Sequence, residues 1–360
     1  MGINLNSKNY IRGRGAQINP NNSFFKNSSD DFFEDYKLSE EQSELILSNS
    51  KTEFLPVHPK SILNKNPNKE VEGYSMNPYQ GCEHGCAYCY ARNSHEYWGY
   101  SAGLDFEQKI MYKKESASLL KKAILHKNYK PMTILLSGNT DCYQPIERKM
   151  KLTRQCLEVL ANYKHPTSII TKNCLIERDI DIFQEMAKDN LINLNISLNT
   201  TNEKLKQILE PRTSSVKHVL RTIQLFASHD IPIYVLAMPI IPAINDDTIL
   251  ELIKMTSEAG AWNIHYQPVK ISKNLELVFF DWVERNFPDR KEKVLHRLNE
   301  IYHSNISAKH KNKDSIWLNT LKQQFSIYKK KYYPNPKEYK TDFSHFLKWK
   351  DPQLKLDFGD

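Results

Sequence analysis

From about residue 71 onward, short runs of apolar and β-branched residues alternate with longer stretches whose apolar positions recur at helical spacing. Residues 73–76, 132–136, 167–171, 192–198, 232–238 and 262–269 read as strands bounded by turn-forming residues. Leu119, Leu120, Ala123 and Ile124 mark one face of a helix over 114–126, and Leu152, Cys156, Val159 and Tyr163 one face of a helix over 148–163, which makes Cys156 a core residue. Three further helices carry Ile180, Phe183 and Ala187, then Val219, Leu220, Ile223 and Phe226, then Ile249, Leu252 and Ile253; a last one lies around 277–287. The reading is an α/β fold with six βα units around a parallel sheet.

Both flanks depart from this pattern. Residues 1–68 carry few periodic apolar positions and are broken by Gly13, Gly15, Pro20, Pro56, Pro59 and Pro67, so they read as an irregular extension wrapping the core. Phe24-Phe25 and Phe32-Phe33 would anchor it as packing residues. Arg12-Gly13-Arg14-Gly15-Ala16 with Asn19-Pro20 reads either as an RNA-contacting basic turn or, in preference, as a flexible arm. After the core over 69–288, residues 289–360 read as a helical basic extension. There Lys309, Lys311, Lys313, Lys329, Lys330 and Lys331 are interleaved with Trp317, Phe325, Tyr328, Tyr332 and Tyr333, which suits either nucleic-acid binding or a solvated helix face.

Composition changes the picture little. The 360 residues hold 50 Lys+Arg against 42 Asp+Glu, a net +8 that suits a phosphate-bearing partner without demanding one. The opening residues show no secretory leader, and the longest apolar run, 231–244, is interrupted by Pro232, Pro239 and Pro242. A cytoplasmic protein with no membrane association is expected. Six cysteines in a chain of this size also argue against a disulfide scaffold.

Chemistry concentrates in residues 76–99, MNPYQGCEHGCAYCYARNSHEYWG, where Cys82, Cys86 and Cys89 form a C-x3-C-x2-C array. Three free thiols in one loop are an oxidation liability unless they hold metal. Three thiolates match an iron–sulfur cluster that keeps one iron open, and they equally allow a zinc site with His84 or His95 as fourth ligand.

The array, with Tyr88 at its aromatic position, resembles the signature of the radical S-adenosylmethionine (SAM) superfamily. The resemblance implies a partial (β/α)6 barrel, a [4Fe–4S] cluster on Cys82, Cys86 and Cys89, and SAM chelated at the fourth iron, with Tyr88 beside the cofactor. It further implies reductive cleavage of SAM to a 5′-deoxyadenosyl radical, driven by a reducing partner such as flavodoxin or ferredoxin. In parallel barrels the functional groups gather at strand C-termini. That rule selects Asn139, Thr140 and Asp141 after the second strand, Lys172 after the third and Ser197 at the end of the fourth. Asn139, Thr140 and Asp141 stand where the superfamily has a Gly-Gly-Glu-like motif for the SAM amino group, of which a glycine and the glutamate are missing here. They read as stand-ins for it or as a polar turn with caps. The apolar turn 238–242 reads as an adenine-facing surface or a rigid turn.

Asn77-Pro78-Tyr79-Gln80-Gly81-Cys82, Ser94-His95-Glu96-Tyr97, Thr140-Asp141, Tyr143-Gln144-Pro145, Glu147, Thr171-Lys172, Arg178-Asp179 and Glu210-Pro211 resemble a narrower group related to spore photoproduct lyase, described as DNA repair photolyase-like. That resemblance implies SAM contacts from Lys172 and Ser197, and a hydrogen-donating thiol whose nearest match, Cys142, is displaced in the motif. His95-Glu96 is a candidate acid/base pair. The function expected is a radical SAM enzyme acting on an unidentified substrate, with nucleic acid and protein both open. The alternative is a zinc-stabilised nucleic-acid-binding module with a structural cysteine loop.

Overall fold

The computed structural model of the protein describes residues 11–24, 51–65, 73–302 and 312–346. Its strands are β1 (Glu53–Pro56), β2 (Leu63–Lys65), β3 (Tyr74–Met76), β4 (Tyr79–Gln80), β5 (Lys109–Tyr112), β6 (Ile134–Leu136), β7 (Thr167–Thr171), β8 (Ile192–Ser197), β9 (Ile233–Ile240) and β10 (Asn263–Pro268). The α-helices are α1 (Asp105–Gln108), α2 (Ser116–Ile124), α3 (Glu147–Met150), α4 (Leu152–Asn162), α5 (Ile180–Lys188), α6 (Glu203–Leu209), α7 (Val216–Ala227), α8 (Ile249–Glu258), α9 (Lys273–Asn286), α10 (Lys291–Tyr302) and α11 (Ile316–Tyr332). One sheet runs β10-β9-β8-β7-β6-β3-β2, parallel throughout except for β2 on β3. Its end strands are not paired with each other, so the six parallel strands form an open partial barrel, as the periodicity predicts.

Strand periodicity assigns the two faces. Ile169 and Leu194, register partners, are fully buried in the main apolar cluster with Leu136, Phe183 and Phe226. On the other face Ser168 donates to Asn193 (2.6 Å), and Asn195 donates to Ser168 (3.1 Å) and Asn193 (3.0 Å). Continuing by twos, that polar face ends in Lys172 just after β7 and in Ser197 on β8.

Several features were beyond the sequence pattern. A second sheet, β1-β5-β4, joins three strands of two to four residues, too short to show an alternation. The expected irregular N-terminal extension therefore contributes β1 and β2 to sheets. The helix expected over 148–163 is two helices, α3 and α4, broken where Lys151 turns left-handed at φ 52°. The Glu147 carboxylate accepts from Thr153 N (3.1 Å) at the start of α4 and so caps the new helix. Helix α6 was not anticipated.

The arm Arg12-Gly13-Arg14-Gly15-Ala16 is packed against the core rather than lying free, with Arg12 left exposed. Arg14 and Ala16 are buried, and the Arg14 guanidinium donates to Glu107 O (2.6 Å) and Thr52 Oγ1 (2.7 Å). The interleaved basic and aromatic residues of α11 also separate in space. Phe325 stacks on Tyr266 with ring centroids 3.9 Å apart, Tyr333 donates to Thr256 (2.9 Å), and Trp317 donates to Asp246 (2.8 Å), while Lys330 and Lys331 face solvent. Phe325, Tyr333 and Trp317 are thus packing residues, while the half-buried Tyr332 carries Lys331 over its ring at 5.1 Å. Phe25, Phe32, Phe33, Lys309 and Lys311 lie outside the described residues. No helix among the described residues is long and apolar enough to cross a membrane.

Candidate active site at the strand C-termini

The cysteine loop leaves the small sheet at β4 and is clamped from three sides. Cys82 N donates to Phe106 O (2.8 Å). Gln144, from the loop after β6, accepts from Glu83 N (3.0 Å) and donates to Gly81 O (3.0 Å), while Glu83 accepts from Ile146 N (2.9 Å). On the third side, the fully buried Arg92 donates to Cys86 O (2.9 Å) and Gly103 O (2.7 Å) and pairs with the fully buried Glu107. Glu107 also accepts from Gly15 N (3.1 Å) and Ala16 N (2.8 Å), which ties the N-terminal arm to the back of the loop. The fit is so close that a Cβ on Gly15 would lie 1.6 Å from Gly85 O. Cys86, Ala87 and Tyr88 pack with Ile18, Leu275 and Phe279, so helix α9 supports the loop from below.

Asp141 is the hub of the rim. Its carboxylate accepts from Tyr143 N (2.9 Å), Thr171 Oγ1 (2.8 Å) and Lys172 N (2.8 Å), and lies 3.3 Å from His84 Nδ1. Three chain segments, the loops after β6 and β7 and the cysteine loop, thus meet on one side chain. Burial alone would raise its pKa, but the His84 charge and hydrogen bond hold it down at about 2. Burial would likewise lower the His84 pKa, and the Cys82 and Asp141 charges overcome this to raise it to about 10.

Beside the hub lies a cluster of charged and phenolic groups. Lys172 is half-buried, and although burial opposes its charge, Glu210, Cys86, Cys89 and Asp141 together raise its pKa. Glu210 is buried in an ion pair with Lys206 and accepts from Tyr88 Oη; the Lys206 and Lys172 charges outweigh its burial and hold its pKa below the usual range. Tyr90 is 64% exposed, and partial desolvation of its phenol pushes its pKa up to about 12. Tyr90 Oη reaches Gly138 O (2.6 Å) across to the loop after β6. Burial pushes the Cys86 and Cys89 thiols up, and Lys172 works against that.

The three thiols are not gathered as the ready ligands of a single ion. Around zinc, ligand atoms sit roughly 3.8 Å apart. Among the described residues no group of three His, Cys, Asp or Glu ligand atoms within 4.8 Å of one another includes Cys82, Cys86 or Cys89. Ligands that bind separate irons of one cluster stand farther apart than the ligands of one ion. Of the two candidate fourth zinc ligands, His84 is engaged at Nδ1 by Asp141 and at Nε2 by Asn173 (3.3 Å), whereas His95, packed between Tyr100 and Phe106, keeps both ring nitrogens without a hydrogen-bond partner among the described residues.

The family model described as "Radical SAM superfamily" matches residues 76–256, just over half of the chain. The chain belongs to the radical SAM superfamily. An uncharacterised protein of Mycobacterium tuberculosis is 28% identical over 253 residues, covering 69% of this radical SAM chain and 73% of its own. One of Methanocaldococcus jannaschii is 28% identical over 247 residues, covering 68% and 87%. Among solved structures, spore photoproduct lyase complexed with dinucleoside spore photoproduct superposes with a TM-score of 0.54 at 15% identity, over 78% of this chain and 80% of that one. A doubly substituted mutant of that lyase, with bound AdoMet and dinucleoside spore photoproduct, gives 0.54 at 16% identity over the same shares. At these identities the likeness shows a shared fold, the partial radical SAM barrel.

Within that barrel the candidates from sequence separate. Lys172 and Ser197 end the polar face of neighbouring strands, with Ser197 3% exposed. Asn139 donates to Gln80 (3.2 Å) and Ser94 (2.9 Å) and keeps its side-chain carbonyl without a partner among the described residues. Thr140 is buried and donates to Tyr79 O (2.8 Å). Asp141, with about four lone-pair sites, already meets four donors and has no acceptor left for a cofactor. Tyr88 is turned to Glu210 and to Asn199 Nδ2 (3.3 Å). Cys142 is fully buried in the main apolar cluster with Met76, Leu136 and Cys156, so its thiol has no access to a substrate in this structure, and a hydrogen-donor role finds no geometric support. The pair His95-Glu96 diverges: Glu96 accepts from Ser23 (3.0 Å) and Asn274 (2.7 Å), while His95 is buried among rings and its pKa is lowered to about 3 by burial, which keeps it neutral. Sequence reasoning missed Glu107, Arg92 and the arm at Gly15-Ala16. Their partners lie up to 92 positions away, and no local spacing signals such a contact.

Proposed function

We propose that the chain is a radical SAM enzyme whose Cys82, Cys86 and Cys89 hold a [4Fe–4S] cluster and whose strand C-termini around Lys172 and Ser197 bind SAM. The observation that carries this reading is the C-x3-C-x2-C array of one loop set beside Lys172 at the end of the barrel's polar face, with Cys86 and Cys89 near enough to help raise the Lys172 pKa. When bound and reduced, the cluster supplies the electron that cleaves SAM to methionine and a 5′-deoxyadenosyl radical. The residues of this chain bind and orient. Lys172 offers a cation to the SAM carboxylate, Ser197 a hydroxyl beside it, and Asn139 an unpaired carbonyl to the SAM amino group. Ile240 and Ile241, fully buried at the end of β9, supply apolar surface at the same end of the barrel. An external one-electron donor of the flavodoxin or ferredoxin type completes the system.

The test is anaerobic reconstitution with iron and sulfide, followed by SAM and dithionite. Four irons per chain and formation of 5′-deoxyadenosine are expected, both lost when any of the three cysteines becomes Ala. Full iron loading in the triple Cys→Ala variant, or one zinc and no iron in anaerobically isolated protein, would overturn the proposal.

A nucleic-acid substrate is the reading we favour. Tyr90, Tyr97 and Trp98, at 64%, 78% and 43% exposure, stand on the helical turn Tyr90–Trp98 that leaves Cys89, an unusual density of exposed rings beside a reactive centre. Exposed rings and a net charge of +8 suit base stacking with phosphate contacts. Fluorescence anisotropy with a single-stranded oligonucleotide should show salt-dependent binding weakened by Tyr97→Ala with Trp98→Ala. Binding unchanged by the double substitution would exclude these rings.

A further inference from the structure

Away from the cysteine loop, on the outer side of the loop after β7, three ligand types converge. Cys174 Sγ, a Glu177 carboxylate oxygen and a His218 ring nitrogen lie within 4.8 Å of one another. We propose that Cys174, Glu177 and His218 form a site for a single divalent ion of borderline softness, of which Zn2+ is the type.

Local geometry builds the triad. Cys174 and Glu177 lie on the 3-10 turn Cys174–Asp179, where three residues per turn eclipse positions i and i+3, so both side chains leave along one edge. The turn is fixed by Asn173, which accepts from Leu175 N (3.0 Å), and by Cys174 N donating to Ser214 Oγ (2.8 Å). His218 comes from the first turn of α7, whose cap Ser215 accepts from His218 N (3.3 Å). His218 Nε2 stands 3.6 Å from Glu177 Oε1. Thr222, one turn further along α7, donates to the same Glu177 oxygen (2.6 Å) and holds the carboxylate toward the helix.

The donor set is chemically coherent. A thiolate and an imidazole with one carboxylate are the ligands that zinc takes, and the spread within 4.8 Å closes to bonding separations by small rotations of the half-buried Glu177 and the 48% exposed His218. Cys174 is buried at 5% exposure, while the imidazole edge is open, so three protein ligands leave a fourth position for water. Burial raises the thiol's pKa, and ion binding therefore releases its proton to solvent and weakens toward low pH. The ion would brace the loop that carries Lys172, since Ser214 N also bonds Lys172 O (3.4 Å), and would fasten that loop to α7.

None of its three ligands is assigned to the cluster or to SAM, so its test avoids both. The full chain carrying Cys82→Ser, Cys86→Ser and Cys89→Ser is titrated with Co2+ under anaerobic, reducing conditions. One cobalt per chain is expected, with a thiolate-to-cobalt charge-transfer band that Zn2+ displaces. Adding His218→Gln, at a solvent-facing position that leaves the core intact, should weaken binding by at least about ten-fold, and Cys174→Ser should abolish the charge-transfer band. Should the triple variant not fold, cluster-loaded wild type dialysed against Zn2+ serves instead: one zinc per chain by elemental analysis, lost in His218→Gln, supports the site. No charge-transfer band at stoichiometric Co2+ in folded protein, or metal content that His218→Gln and Cys174→Ser leave unchanged, overturns it.

Discussion

Replacing Asp141 by Asn separates a structural hub from a cofactor ligand. Asn keeps the shape but turns one oxygen into a donor and removes the charge. If the amide nitrogen takes the place of Oδ2, it confronts Lys172 N and His84 Nδ1; if it takes the place of Oδ1, it confronts Tyr143 N and Thr171 Oγ1. Either way two hydrogen bonds to a charged acceptor are lost at a site only 10% exposed, so solvent screens little. At about 1.5–3 kcal/mol for each such bond, with part recovered by rotation of the Thr171 hydroxyl, the cost is about 3–5 kcal/mol. That is a large share of the ~5–15 kcal/mol by which domains are stable. Urea unfolding of the cluster-free protein, followed by circular dichroism under anaerobic conditions, reads it directly. A variant within about 1 kcal/mol of wild type but with much weaker SAM binding would refute the hub and return Asp141 to the cofactor. The acid dependence has a fixed sign. The folded pKa of about 2 lies below the ordinary 3.8, so the contribution of Asp141 is full above pH 4 and is lost as pH falls through 2.

Three further outcomes are expected. Lys172→Ala should retain the cluster and weaken SAM binding by about 1.5–3 kcal/mol, the worth of one charge-assisted hydrogen bond; an unchanged dissociation constant by calorimetry removes Lys172 from the SAM site. Gly15→Ala forces a methyl into Gly85 O, so the arm should lift from Glu107 and residues 11–24 become cleavable in limited proteolysis, whereas wild-type protection would show that the contact is dispensable. His165 is fully buried, with Nε2 2.9 Å from Tyr129 Oη, and burial lowers its pKa from 6.5 to about 4. The unfolded chain therefore takes up the proton first as pH falls, and about 3 kcal/mol of stability is lost between pH 6.5 and 4. His165→Gln should flatten that slope in pH-dependent unfolding, and an unchanged slope would assign it to other groups.

The repeated units and the chemistry-bearing loop are legible in the chain without any coordinates. Strands such as Thr167–Thr171 and helices such as Val216–Ala227 declare themselves because their burial follows a period of two or of 3.6, and a period is a local property. The cysteine spacing is local in the same way. So is the rule that places Lys172 and Ser197 at strand ends, since each lies within a residue of a strand whose alternation is legible. Which polar groups remain available is set instead by contacts across the fold. Asp141 and Lys172 look equally suitable in sequence, yet Asp141 is saturated by donors from three loops while the Lys172 ammonium lies among the charges of Glu210, Cys86, Cys89 and Asp141. Cys142, in a polar loop at a strand end, looks reactive in sequence but is enclosed by apolar residues from distant strands and helices. The arm at Gly15-Ala16 reads as loose chain because its stability comes from Glu107, 91 positions from Ala16, and from an Arg92 that no helical or strand period would bury. Saturation and enclosure depend on what the fold brings from far along the chain, and for that reason no window of sequence contains them.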